Sequence, residues 1–151
     1  MKENHLMKIQ EELKESRRML QTLISNLNGM VYRCRSDRDW SIEYISDGCF
    51  EITGYHPEEL IDNSKLSYND VIHEDDRERV WAEVQEKVNE DKPFTLSYRI
   101  ITADKKVKWV KETGVGIRNP ENNSILLEGF ISDATSEKRN RLVRDVVFEI
   151  S

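Results

Sequence analysis

At 151 residues the chain has room for one ordinary domain, and 37% hydrophobic against 34% charged residues makes it polar, with enough apolar sequence for a single core. A formal net charge of −6 argues against nonspecific binding to nucleic acid or to an anionic membrane surface. No apolar run approaches the ~18 residues a membrane span requires, and residues 1–10 (MKENHLMKIQ) lack an apolar export signal.

Residues 1–28 contain no glycine or proline and read as a helix. Leu6, Ile9, Leu13, Ser16, Leu20, Leu23 and Leu27 follow 3-4-3-4 spacing, a heptad seam with one polar interruption at Ser16. Such a seam serves a two-stranded coiled coil in a homodimer, or an amphipathic helix folded back on its own domain; the dimer is the preferred expectation. Asn28 and Gly29 supply the stop.

Residues 29–134 carry the globular pattern. Met30, Tyr32 and Cys34 alternate with Val31, Arg33 and Arg35 as a half-buried strand does, and after a turn at Ser36–Asp39 residues 40–45 (WSIEYI) read as its hairpin partner. Short helices are expected at 47–53 and at 57–61, where Pro57 suits a first helical position and Glu58 and Glu59 suit the positive end of the helix dipole. The longest helix of this part is expected at 75–90, capped by Asp75 with Glu78 at capping-box spacing. Val80, Trp81, Val84 and Val88 on one face should pack across a sheet.

Three strands follow. Phe94, Leu96, Tyr98 and Ile100 alternate with polar neighbours, and a turn at 103–106 leads into 107–117, where Val107, Trp109, Thr113, Val115 and Ile117 share a face. The run 119–123 (NPENN) is a turn. Residues 125–132 form the last strand, with Leu126, Leu127, Phe130 and Ile131 placing apolar groups on both faces, so cover on both sides is expected, which the N-terminal helix could help to supply. Strands around a helical block make an α+β domain with helices on one face of an antiparallel sheet. Residues 135–151 return to a charged helical pattern, with Leu142, Val146 and Ile150 in one row, and stop without a terminating signal, as a helix that originally continued would.

Several stretches of this globular part resemble the PAS domain with its C-terminal PAC segment. Ile45–Asp47 and Ile52–Leu60 (ITGYHPEEL) are similar to the family's "TGY-x-x-EEL" stretch. Val71–Arg77 (VIHEDDR) resembles its "IHPDDR" signature, with Glu74 where proline is usual. Lys108-Trp109-Val110 resembles the tryptophan motif of the central strand, and Gly129–Lys138 the closing "G-x-x-x-DIT-x-x-K" motif, with Ala134 for the usual branched residue. The resemblance spans about residues 23–139. It implies a five-stranded antiparallel sheet in the order 2-1-5-4-3, helices enclosing a pocket on one face, and a place in sensing or dimerisation within histidine kinases, cyclic-dinucleotide enzymes or transcription regulators. Asp133 and Thr135 would then stand at the relay into the C-terminal helix.

The residues argue against several chemistries. Flavin photosensors of the family carry a cysteine in the segment corresponding to 67–72 (SYNDVI); there is none here, and Cys34 and Cys49 lie elsewhere. A haem ligand on the long helix is missing, since 75–90 contains no histidine; His73 stands in a loop, His56 at a short-helix cap and His5 in the N-terminal arm. The His73–Asp76 cluster reads as a helix start, not as a metal site. Two cysteines are too few for a disulfide framework or a zinc site, and reduced core thiols fit a cytoplasmic protein. With no phosphate loop and no nucleophile motif, the chain is expected to have no catalytic activity of its own.

Tyr32, Cys34, Tyr44, Trp81, Tyr98 and Trp109 remain as candidates to line a pocket, being aromatic or polarisable on inferred core faces; simple core packing uses the same residues. The expected role is a sensory module relaying a signal through both arms of a dimer to an adjacent output domain, most naturally a histidine kinase, with the cofactor or small-molecule ligand unidentified. A ligand-free dimerisation and protein-interaction module is the alternative.

Overall fold

In the computed structural model, which describes residues 1–135, the clean alternation of Phe94, Leu96, Tyr98 and Ile100 becomes the inward face of an edge strand. The sheet has five antiparallel strands in the order β2-β1-β5-β4-β3: β1 (Met30–Arg35), β2 (Ile42–Ile45), β3 (Phe94–Ile101), β4 (Val107–Arg118) and β5 (Ile125–Asp133). Four helices gather on one face: α2 (Gly48–Thr53), α3 (Pro57–Leu60), α4 (Tyr68–Val71) and α5 (Arg77–Asn89). A long N-terminal helix, α1 (Lys2–Ser25), precedes the sheet. The helix expected over 135–151 lies, apart from Thr135, outside the described residues.

Between helices and sheet lies one apolar core. Val80, Val84 and Val88 of α5 meet Phe94, Tyr98 and Ile100 of β3, Val110 of β4, Leu127 and Ile131 of β5, and Met30, Tyr32 and Cys34 of β1. The helix α4 was not anticipated, although Ser67 and Asp70 form a reciprocal capping box at its start, a signal the sequence carries openly.

Three local expectations are corrected. The long helix begins at Arg77, not at Asp75, because residues Glu74–Asp76 form a single 3-10 turn. That turn is capped by His73, whose Nδ1 accepts the Asp75 N–H at 3.1 Å, and the N-cap position of the long helix itself is Asp76. The second strand begins at Ile42, because the Asp37 carboxylate closes the hairpin by accepting from the Ser41 N–H (3.0 Å) and hydroxyl (2.8 Å), and this turn leaves Trp40 at a φ of 51°. Finally, β5 buries Leu127 and Ile131 on the helix side and leaves Leu126 and Phe130 half-buried on the other; α1, which has no buried residue, does not supply the cover.

Asp76 pins the start of α5 to β3. Its carboxylate, 5% exposed, accepts from the Arg99 backbone N–H (2.8 Å), from Nε (3.0 Å) and from Nη2 (2.6 Å). The Arg99 hydrogen bonds hold the Asp76 carboxyl below its ordinary range. Asp76→Asn keeps an acceptor for the backbone N–H and loses the charge, so a loss of about 1.5 kcal/mol is expected in urea denaturation at neutral pH. An unchanged midpoint would mean the pair contributes nothing net.

Candidate ligand cavity

Register decides which residues of β4 turn inward. Pairing with β3 sets Phe94 opposite Gly114, Leu96 opposite Glu112, Tyr98 opposite Val110 and Ile100 opposite Lys108, so the even-numbered residues of β4 share the helix-covered face. The apolar set Val107, Trp109, Val115 and Ile117 therefore lies on the outer face, where Val107, Val115 and Ile117 are exposed. A carboxylate sits at the centre of the core instead: Glu112 is 7% exposed.

Phenols surround it. Tyr98, from β3, donates to Glu112 Oε1 at 2.6 Å, and Tyr32, from β1, makes a short hydrogen bond to Oε2. Tyr68 of α4 bonds to the Tyr98 hydroxyl at 2.8 Å. Since Tyr98 gives its proton to Glu112, Tyr68 is the donor in that bond. The three phenols thus form a directed set, Tyr68 to Tyr98 to Glu112 from one side and Tyr32 from the other. Tyr32 reaches this position across a pair of facing glycines. A Cβ on Gly114 would come within 2.7 Å of the Tyr32 hydroxyl oxygen, and one on Gly129 within 2.8 Å, so larger residues would displace the phenol.

Burial raises the Glu112 carboxyl above its ordinary range, and the two phenol hydrogen bonds offset this only in part. Burial, with Glu112 nearby, also pushes the Tyr32, Tyr68 and Tyr98 phenols and the Cys34 thiol upward. Neutral phenols and a neutral thiol are the result at any ordinary pH.

A cavity adjoins the carboxylate. Tyr32, Cys34, Trp40, Tyr68, Glu112 and Ile72 are among its lining, with Val80 and Val84 of α5 opposite. Counted as space open to the centre of a water molecule it measures about 20 Å³, enough for one water-sized guest. Larger guests require the walls to move.

Of the sequence-derived pocket candidates, Tyr32 and Cys34 line this cavity, and Tyr98 stands directly behind it through Glu112. Trp81 is only partly buried, its ring 5.2 Å from that of Trp40, with the Arg38 guanidinium 4.3 Å from its centre. Tyr44 and Trp109 are displaced to the opposite face. For Tyr44 the cause is a bulge: Cys34 pairs with Ile42 while Arg33 pairs with Tyr44, leaving Glu43 as an extra residue that inverts the alternation of β2. For Trp109 the cause is the register of β4 just described. Missed from sequence were Glu112, Tyr68 and Trp40. Glu112 was hidden because the outer face of β4 looks more apolar than its inner face; the clean inward face of β3 was the signal that should have fixed its parity.

Both chain exits connect to this site. α1 leads through residues 26–29 into β1, which carries Tyr32 and Cys34. At the other end Asp133 accepts the Thr135 N–H at 2.9 Å, and the Thr135 hydroxyl oxygen accepts the Trp109 N–H at 3.1 Å, three residues before Glu112 on β4. Lys108 Nζ donates to the Glu51 and Ile52 carbonyls at 3.1 Å each, at the C-terminal end of α2, where a cation is favoured, and lies 4.0 Å from Asp133. Among the described residues no helix is long and apolar enough to cross a membrane.

Several solved structures share this architecture. A sensory box histidine kinase/response regulator from Burkholderia thailandensis E264 shares 24% identity at a TM-score of 0.68, the match covering 86% of this chain and 95% of that one. The N-terminal domain of a diguanylate cyclase with PAS/PAC sensor from Marinobacter aquaeolei gives 18% identity and a TM-score of 0.58, over 73% and 98% of the two chains. In sequence, the methyl sulfide methyltransferase-associated sensor of Methanosarcina acetivorans is 28% identical over 120 residues, 79% of this chain and only 12% of that much longer protein. The sequence profile described as the PAS fold matches residues 42–131, more than half of the chain, and with the 2-1-5-4-3 sheet this places the protein in the PAS fold family.

Proposed function

We propose that the chain is the sensory module of a multidomain signalling protein, most naturally a sensor histidine kinase, and that it relays the state of the Glu112 cavity through its arms in a parallel homodimer. The observation that carries this reading is the seam of α1. Leu6, Leu13, Leu20 and Leu23 are between 55% and 61% exposed, and Ile9 and Leu27 are 40% and 48% exposed. A leucine row on an isolated helix is out of place in water, and a second copy of the same helix would cover it. With Leu6, Leu13, Leu20 and Leu27 at one core position and Ile9, Ser16 and Leu23 at the other, Glu12 and Arg17 occupy the flanking positions that meet between parallel, in-register strands. β1 joins that arm to Tyr32, and the Asp133–Thr135–Trp109 bonds join β4 to the other exit, so a change at Glu112 has a short path to each. The sensor and kinase relatives favour the same role.

Cross-linking tests the register. Leu13→Cys, oxidised under mild conditions, should give a covalent dimer through one new disulfide, since Cys34 and Cys49 are buried. No cross-link from Leu13→Cys, together with a monomeric mass in solution, would exclude the parallel arm.

Two further readings stand beside it: a ligand-free dimerisation and interaction module, which the small cavity favours, and an input domain for a cyclic-dinucleotide enzyme or transcription regulator, which the diguanylate cyclase neighbour favours. Native mass spectrometry separates the first of these from the sensor: a copurified molecule supports sensing, and its absence together with a flat thermal response to candidate ligands supports pure assembly. Cytoplasmic location belongs to the same proposal, supported by the two free, buried thiols.

A further inference from the structure

Among the described residues Glu112 is a buried acid with no ion-pair partner. Among the described residues the side chains hydrogen-bonded to it are the phenols of Tyr32 and Tyr98. An ionised carboxylate in an apolar core is costly unless a positive charge compensates it, and the two phenols supply hydrogen bonds but no charge. Each of its oxygens accepts one phenol hydrogen bond. A carboxylate offers about four acceptor positions, which leaves roughly half of them uncommitted at the cavity wall.

The remaining walls have a matching character. Tyr32, Tyr68 and Trp40 bring three aromatic rings to the cavity, and an aromatic surface attracts a cation through its quadrupole. The Tyr68 hydroxyl, which gives its proton to Tyr98, keeps a free acceptor lone pair, and Cys34 adds a weak sulfur acceptor. Ile42, Ile45, Ile72, Val80 and Val84 make the rest of the lining apolar. Acceptors, aromatic rings and a carboxylate that no cation among the described residues neutralises define the guest: it carries N–H donors and a positive charge, and its body is small and apolar.

We propose that the cavity is a binding site for small protonated amines, of the size of ammonium or methylammonium, with the Glu112 carboxylate as counter-ion and Tyr32, Tyr68 and Trp40 as the aromatic wall. The assignment rests on the reading of the chain as a sensory module and names the chemical class it senses. Size sets the upper limit: about 20 Å³ holds one water-sized guest, so ammonium fits the walls as they stand and methylammonium requires them to yield slightly. Trp40 sets the size. It is 5% exposed, is held at a φ of 51° that a bulky residue seldom adopts, and separates the cavity from the partly exposed Trp81. A smaller ring at this position would admit a longer alkyl chain.

The test is titration of the full chain, followed by amide and indole NMR shifts, with ammonium, methylammonium and ethylammonium chloride, with methanol and ethanol as neutral comparators and sodium chloride to match ionic strength. Methylammonium should produce saturable shifts around residues 32, 40 and 112, at least about tenfold tighter than methanol. Glu112→Gln should weaken methylammonium by about tenfold or more and leave the alcohols unchanged. Equal affinity for methylammonium and methanol, no saturation by any of the three cations, or full retention of methylammonium binding in Glu112→Gln would each overturn the proposal. Should Glu112→Gln fail to fold, Trp40→Phe provides the second measurement: preference should move from methylammonium toward ethylammonium, and an unmoved preference would also overturn it. Failure here with the Leu13→Cys cross-link intact removes the ligand class and keeps the dimeric relay, whereas loss of the cross-link with amine binding intact removes the relay and keeps the site.

Discussion

Substituting glutamate at both Leu13 and Leu20 should turn the proposed dimer into a monomer in light scattering while leaving the melting temperature of the PAS fold nearly unchanged. The two leucines are 61% and 59% exposed on α1, and no residue of that helix is buried in the domain core. Their removal therefore costs the single chain almost nothing. In the proposed dimer each buries its side chain against its counterpart, worth about 1.5–3 kcal/mol per leucine. Glutamate at the same places sets like charges against each other in a narrow apolar seam, so dissociation should rise by at least about a thousandfold. A variant that remains dimeric would show that the contact is made elsewhere, and the exposed outer-face residues Val107, Val115 and Ile117 would then be the place to look. A variant that melts far below the parent would show that α1 packs on its own domain after all.

Glu112→Ala should destabilise the domain by about 3 kcal/mol, because the Tyr32 and Tyr98 phenols lose their acceptor inside the core. Glu112→Gln retains one acceptor oxygen and should cost about 1 kcal/mol near pH 5. That smaller difference should change with pH, and its sign follows from burial. The Glu112 carboxyl is raised above its ordinary 4.5, so the folded protein holds a proton that the unfolded chain gives up. Stability from the buried acid is full below 4.5 and is lost as pH climbs from there toward the raised value. The advantage of the parent over Glu112→Gln should therefore shrink as pH rises above 4.5. Asp76 does not interfere, since its carboxyl is lowered below 3.8 and its contribution is lost only as pH falls through that acidic range. Urea denaturation of both proteins at several pH values from 4.5 to 8 measures the difference. A constant gap across that range would mean that Glu112 has an ordinary pKa.

Part of the domain could be read one residue at a time. The burial of Phe94, Tyr98 and Ile100 on β3, of Met30, Tyr32 and Cys34 on β1 and of Val80, Val84 and Val88 on α5 agrees with their sequence periodicity, because each element is amphipathic by itself. The α+β class followed from the runs of strands around a helical block, and the strand order from the resemblance carried by stretches such as 52–60 and 71–77; the sheet carries that order. The site was less legible. Tyr32, Cys34 and Tyr98 sit where alternation puts them, while Tyr44 and Trp109 do not, since a bulge in one strand and the pairing register of another choose their faces. Neither a bulge nor a register is written in the strand that suffers it.

By itself, then, the sequence determined most of the elements, the fold family and the heptad spacing of the leucine seam, all of which depend on spacing within a short stretch of chain. Only the tertiary structure decided that Glu112 is buried, that Tyr32, Tyr68 and Tyr98 converge on it from β1, α4 and β3, and that Trp40 closes the cavity beside it. Those residues are up to 80 positions apart. A lone glutamate in a strand looks solvent-facing until its partner strand places it opposite Leu96 and next to Tyr98, and it is the ladder of backbone hydrogen bonds between β3 and β4 that turns it inward.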